Sequence, residues 1–144
     1  MRSLLLATLI AHARLQSPAE CAKDVALAAQ YVAATSVAIA SAVIDCADNQ
    51  TQCVVDINSA ADDLSQATVA VTAAVTDCGG SAPAACIADV QAIAVSLQNA
   101  TDVISDAVIV CSEGKTVKCS LDIVAGVRDI ADVGVEIAKA VSDC

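Results

Sequence analysis

The residues best suited to chemistry are eight cysteines, at 21, 46, 53, 78, 86, 111, 119 and 144. Thiols at such positions can act as nucleophiles, hold a soft metal, or bond in pairs. Their order decides among these. Taken as 21/46, 53/78, 86/111 and 119/144, the members of each pair lie 25 residues apart, and successive units begin 32, 33 and 33 residues apart. The chain is a fourfold internal repeat. Each unit opens Cys-x-x-Asp-Val/Ile (CAKDV, CVVDI, CIADV, CSLDI) and closes on AVIDC, AVTDC, AVIVC or AVSDC.

The element that must carry these cysteines is a helix. No unit contains Pro between its cysteines, Ala is abundant, and apolar residues recur at heptad spacing. With each opening cysteine at heptad position d, position a holds Val25, Val32 and Ile39, then Ile57, Leu64 and Val71, then Val90, Leu97 and Ile104, then Ile123, Ile130 and Ile137. Position d is mostly small, as in Ala28, Ala60, Ala67, Ala100 and Gly126. Large a residues facing small d residues let helices pack closely. A step of 25 is three heptads plus four, so both cysteines of a unit fall on the buried seam. Position e (Val43, Val75, Val108, Val141) is expected to widen that stripe. Ser17-Pro18-Ala19-Glu20 reads as a capping box, Thr51 and Thr116 as N-caps, Pro83 as a helix start, and Gly79-Gly80 and Gly114 as C-terminal caps. Six or seven residues separate one unit from the next, short enough to make neighbours antiparallel. The expected fold is all-α, an up-down-up-down four-helix bundle of four repeats of roughly 33 residues.

A rise of about 1.5 Å per residue puts the two cysteines of a unit about 37 Å apart, far beyond the reach of a disulfide, about 7 Å between Cα atoms. Alternating helices gather Cys21, Cys78, Cys86 and Cys144 at one end and Cys46, Cys53, Cys111 and Cys119 at the other. Three pairings at each end make about nine sets. The preferred set follows the turns, Cys46–Cys53, Cys78–Cys86 and Cys111–Cys119, with Cys21–Cys144 joining the termini. Two tetrathiolate metal sites are the rival reading, but no Cys-x-x-Cys knuckle is present. The expectation is disulfides, with no metal and no other cofactor.

Met1–Ala13 has a basic start at Arg2, a short apolar run and an Ala11-His12-Ala13 cleavage pattern, the form of a secretory signal peptide. Such a leader sends the chain to an oxidising compartment, where disulfides persist. The mature domain is then 14–144. It loses His12, the only histidine, and with it every Ser-His, Cys-His or His-metal mechanism. No carboxylate pair is marked by spacing for acid–base work, so no catalytic residue is assigned and the chain is not expected to be an enzyme. The net charge of −10 argues against nucleic acid and anionic lipid. With Tyr31 the one aromatic residue, the core is Ala, Val, Ile and Leu, and no small-molecule substrate is evident.

The Asp three residues after each opening cysteine (Asp24, Asp56, Asp89, Asp122) is expected in a first helical turn, complementing the helix dipole. The Asp before a closing cysteine (Asp45, Asp77, Asp143) stands where the dipole disfavours it. Solubility is the preferred reason. A weak divalent-cation site among Glu20, Asp24, Asp77, Asp89 and Asp143 is the alternative. From Val25 to Ile44 the first helix has no charged residue. Its outward positions Leu27, Tyr31, Ala34, Val37, Ser41 and Ile44 are expected to form a face that docks a protein partner. Asn49-Gln50-Thr51 and Asn99-Ala100-Thr101 are N-glycosylation sequons.

The Cys-x-x-Asp openings and Ala-Val-x-Asp-Cys endings over residues 21–144 resemble small Ala/Val-rich cysteine-repeat proteins of dinoflagellate algae. The resemblance carries no catalytic residues. It implies the thylakoid lumen, beside extracellular space, as a destination. The expected function is a non-catalytic structural or linker subunit docking onto a larger assembly, with a lumen-side photosystem accessory subunit as one version. A lipid or pigment carrier and a secreted extracellular structural protein are the alternatives.

Overall fold

The computed structural model describes residues 18–79 and 82–144. The leader 1–13, Ser17 of the expected capping box, and Gly80 lie outside the described residues. Four helices make up the described chain: α1 (Pro18–Asp48), α2 (Gln50–Cys78), α3 (Ala84–Ser112) and α4 (Thr116–Asp143). They run up, down, up and down, each packing mainly on its two neighbours in a ring.

The heptad phase accounts for the core almost residue by residue. Every a and d residue from Cys21 to Ala140 is buried except Cys46, which is half-buried. Ile57, Leu64, Ile93, Leu97 and Ile104 are at most 2% exposed, each stabilising the fold by roughly 1.5–3 kcal/mol relative to exposure. Thr35, a polar d residue, is also fully buried, and its hydroxyl donates to the Tyr31 carbonyl at 2.9 Å. Gly126 fits a tight place: a Cβ there would lie 2.7 Å from Ile104 Cδ1.

The apolar stripe widens on the other flank from the one expected. Val43, Val75 and Val141 at position e are exposed and Val108 is half-buried, whereas Ala70 and Val110 at position g are buried. The packing explains this. α1 packs most extensively on α2, and α3 on α4, through their g flanks. The e flanks meet between α2 and α3 and, least extensively, between α1 and α4. The bundle is therefore two tight hairpins laid against each other.

The turns differ from the sequence expectation in detail. Asn49 alone separates α1 from α2, and its side chain caps α2 by accepting from Gln52 N at 3.2 Å. Thr51 lies inside that helix. Thr116 is likewise the first residue of α4, behind Lys115. Gly114 does end α3: it has φ 74°, its N–H donates to the Cys111 carbonyl at 3.1 Å, and Lys115 N donates to the Val110 carbonyl at 3.2 Å. Only glycine takes that conformation without strain. Pro83 directly precedes α3, and Gly79 directly follows α2.

Candidate functional site

The seam brings the eight cysteines into two groups at opposite ends, and all are paired: Cys21–Cys78, Cys46–Cys53, Cys86–Cys144 and Cys111–Cys119. Two pairs are those expected from the turns. The expected Cys78–Cys86 and Cys21–Cys144 are replaced by Cys21–Cys78 and Cys86–Cys144. Sequence spacing measures loop length, and Cys78 and Cys86 are as close in sequence as Cys111 and Cys119. Helix approach decides instead: the bonds form only within the two tight hairpins, where bonded Cα atoms are 4.5–4.9 Å apart. Each hairpin is thus bolted at both ends, and no disulfide joins one hairpin to the other.

At the termini-bearing end the four sulfurs converge on the bundle axis. Cys21 Sγ is 3.7 Å from Cys86 Sγ, and all four Sγ atoms lie within 4.8 Å of one another. At the turn end Cys46, Cys53 and Cys119 meet this limit, and Cys53 Sγ is 3.9 Å from Cys119 Sγ. There Gln50 Nε2 donates to the Cys111 carbonyl, tying the α1–α2 turn to the end of α3.

Beside three of the four disulfides sits a pair of aspartates; the sequence grouped Asp24, Asp77, Asp89 and Asp143 at the termini-bearing end as one cluster but did not resolve them into pairs, and it missed Asp45 with Asp56. The opening and closing aspartates occupy position g, and the g flanks face each other within a hairpin. Asp24 thereby meets Asp77, Asp45 meets Asp56, and Asp89 meets Asp143. The carboxyl of Asp24 is pushed up to about 6, first by burial, then by its hydrogen bond with Asp77 and the negative charges of Asp77 and Glu20; Lys23 opposes this. Asp45 is raised chiefly by its hydrogen bond with Asp56. Asp89 is raised by burial, then by its hydrogen bond with Asp143. Asp24, Asp56 and Asp89 each keep one carboxyl oxygen sheltered from solvent with no hydrogen-bond partner. At Asp24 a proton bound below about pH 6 supplies the missing donor. In the fourth place Val110 stands where the closing aspartate would be, and Asp122 instead accepts from Lys118 at 2.9 Å. The opening aspartates lie beyond the first helical turn, since among the described residues the only acidic one in a first turn is Glu20 of α1. Their position answers to the neighbouring helix more than to the dipole of their own.

No protein-family model matches the chain, and no curated protein or solved structure matches it.

The expected docking face divides in two. Leu27, Val37 and Ile44 are exposed, the last two by 69% and 68%, whereas Tyr31, Ala34 and Ser41 are half-buried. Tyr31 packs against the core from position g, beside α2. Around the other side of α1 runs an open groove shared with α4, lined by Ala29, Ala33, Ser36, Ala131, Gly134 and Ala138. It continues past Ala40 and Val127 towards Val43 and Val124. Asn49 and Asn99 of the two sequons are both exposed. By length and composition α1 and α3 could each cross a membrane, though the a and d residues of both, Cys46 excepted, are buried against α2 and α4.

Proposed function

We propose that the protein is a non-catalytic structural or linker subunit of the secretory pathway, a braced rod that docks a larger protein assembly through α1. The observation that carries this reading is the uncharged outer surface of α1. Val37 and Ile44 project from it, and it runs into the groove of small side chains along α4. Elsewhere the outside is strongly acidic, so an uncharged strip about 20 residues long suits a protein partner better than bulk water. Four disulfides suit an oxidising compartment, either extracellular space or, as the resemblance to the algal repeat proteins implies, the thylakoid lumen. In the lumen the assembly would be a photosystem complex. The same apolar groove supports the second reading, a carrier that lays a lipid or pigment along α1 and α4.

Affinity capture from the native source tests the first reading. Wild type should retain a stoichiometric protein partner, and Val37→Glu with Ile44→Lys should lose it while keeping its helical circular dichroism. A monomer that captures no protein, but takes up a fluorescent fatty acid displaced by Gly134→Leu, would replace the linker by the carrier.

A further inference from the structure

The four sulfurs at the termini-bearing end have the arrangement of a metal site closed by oxidation. A tetrahedral Zn(II) tetrathiolate with Zn–S bonds of about 2.3 Å has sulfur–sulfur edges of about 3.8 Å. The diagonal contact between Cys21 and Cys86 is already 3.7 Å, and no two of the four sulfurs are more than 4.8 Å apart. The cluster lies on the bundle axis, one sulfur from each helix, with Cys21, Cys78 and Cys86 at most 1% exposed. From the geometry we infer that the reduced protein binds one thiophilic divalent cation, of which zinc is the type, through Cys21, Cys78, Cys86 and Cys144.

The chemistry balances. A dithiol or phosphine reductant gives two electrons to each of Cys21–Cys78 and Cys86–Cys144, and each bond takes up two protons to become two thiols. The cation then displaces four thiol protons as four metal–sulfur bonds form. Separation of the two bonded pairs to about 3.8 Å is within the reach of side-chain rotation. The turn end is the internal control, because Cys111 falls outside the group that Cys46, Cys53 and Cys119 form there. Proton release makes the binding weaken as pH falls. The groups around the site are acidic, Glu20, Asp24, Asp77, Asp89, Glu136 and Asp143, with Lys23 and Lys139 the nearby cations.

The test uses the full chain, reduced by a phosphine without oxygen and titrated with Co(II), then Zn(II). The expected result is one cobalt per chain with the visible spectrum of tetrahedral sulfur ligation, bleached by zinc. Bound zinc should slow alkylation of Cys21, Cys78, Cys86 and Cys144 relative to the metal-free reduced chain and leave the rates of the other four cysteines unchanged. Cys86→Ser should weaken binding on the order of 100-fold, and Cys46→Ser or Cys111→Ser should leave it unchanged. Circular dichroism follows helix content throughout. The inference is overturned if cobalt gives no such spectrum, whether the reduced chain is folded or not. It is equally overturned if protection maps to the turn end or if all eight cysteines alkylate alike.

Discussion

The aspartate pairs make the stability of the bundle respond to acid in an unusual direction. The carboxyl of Asp24 sits at about 6 in the folded protein against an ordinary 3.8. Between those values the folded state holds a proton that the unfolded state has released. Stability therefore falls as pH rises through this window, is greatest below about 4, and is lost above about 6. Asp24 is only half-buried, and after allowance for screening the effect is about 1 kcal/mol, or roughly 4 °C in melting temperature for a domain of this size. Asp45 and Asp89 act in the same direction. Urea unfolding should give a higher midpoint near pH 4.5 than near about pH 7.5. Asp77→Asn should raise stability at the higher pH and flatten the profile. Part of that gain comes from removing a charge at the C-terminus of α2, roughly 0.3–1 kcal/mol. A double-mutant cycle with Asp24→Asn isolates the pair, because the dipole contribution does not depend on Asp24. The reasoning is refuted if the coupling energy at the higher pH is zero, or if it is the same at both pH values.

Three further outcomes follow from the packing. A protease site placed in the linker 79–82 and cleaved should release two fragments on a denaturing, non-reducing gel, one with Cys21–Cys78 and one with Cys86–Cys144; a single band would restore the Cys78–Cys86 bridge. Gly134→Ala should stabilise the bundle by about 0.5–1 kcal/mol, since a Cβ there meets nothing within 4 Å, while Gly126→Ala should lose that gain and up to about 2 kcal/mol more to the clash with Ile104; equal calorimetric shifts for the two would contradict the packing. Asn49→Ala should cost about 1 kcal/mol through loss of the α2 cap, measured on unglycosylated protein so that the sequon plays no part.

Much of the fold was legible because the repeat is strict. Val25, Ile57, Val90 and Ile123 at equivalent positions fixed the phase of four helices, and the phase placed every cysteine on the seam. What a single helix's periodicity does not contain is which flank faces which neighbour. That one gap produced three errors. It set Val43 and Val141 on the buried side, paired Cys78 with Cys86, and left Asp45 without its partner Asp56 while gathering Asp24, Asp77, Asp89 and Asp143 in one loose cluster instead of two pairs. A signal was present: Cys21 to Cys86 and Cys46 to Cys111 are both 65 residues, and Cys53 to Cys119 and Cys78 to Cys144 both 66. The repeat is therefore also a doubled hairpin, and antiparallel alignment within it sets Asp24 opposite Asp77 and Asp45 opposite Asp56. The caps at Thr51 and Thr116 were misplaced because Asn49 and Lys115 take the boundary, and local residue preference fixes helix ends only to within one or two residues.

Each hairpin is a closed covalent loop tethered to its twin by the short stretch 79–83 alone. Two chains can therefore trade halves, α1–α2 of one seating on α3–α4 of another, without opening a single sulfur–sulfur bond. An exchange of halves of that kind would rebuild the same internal contacts, and reducing agent would not be needed for it.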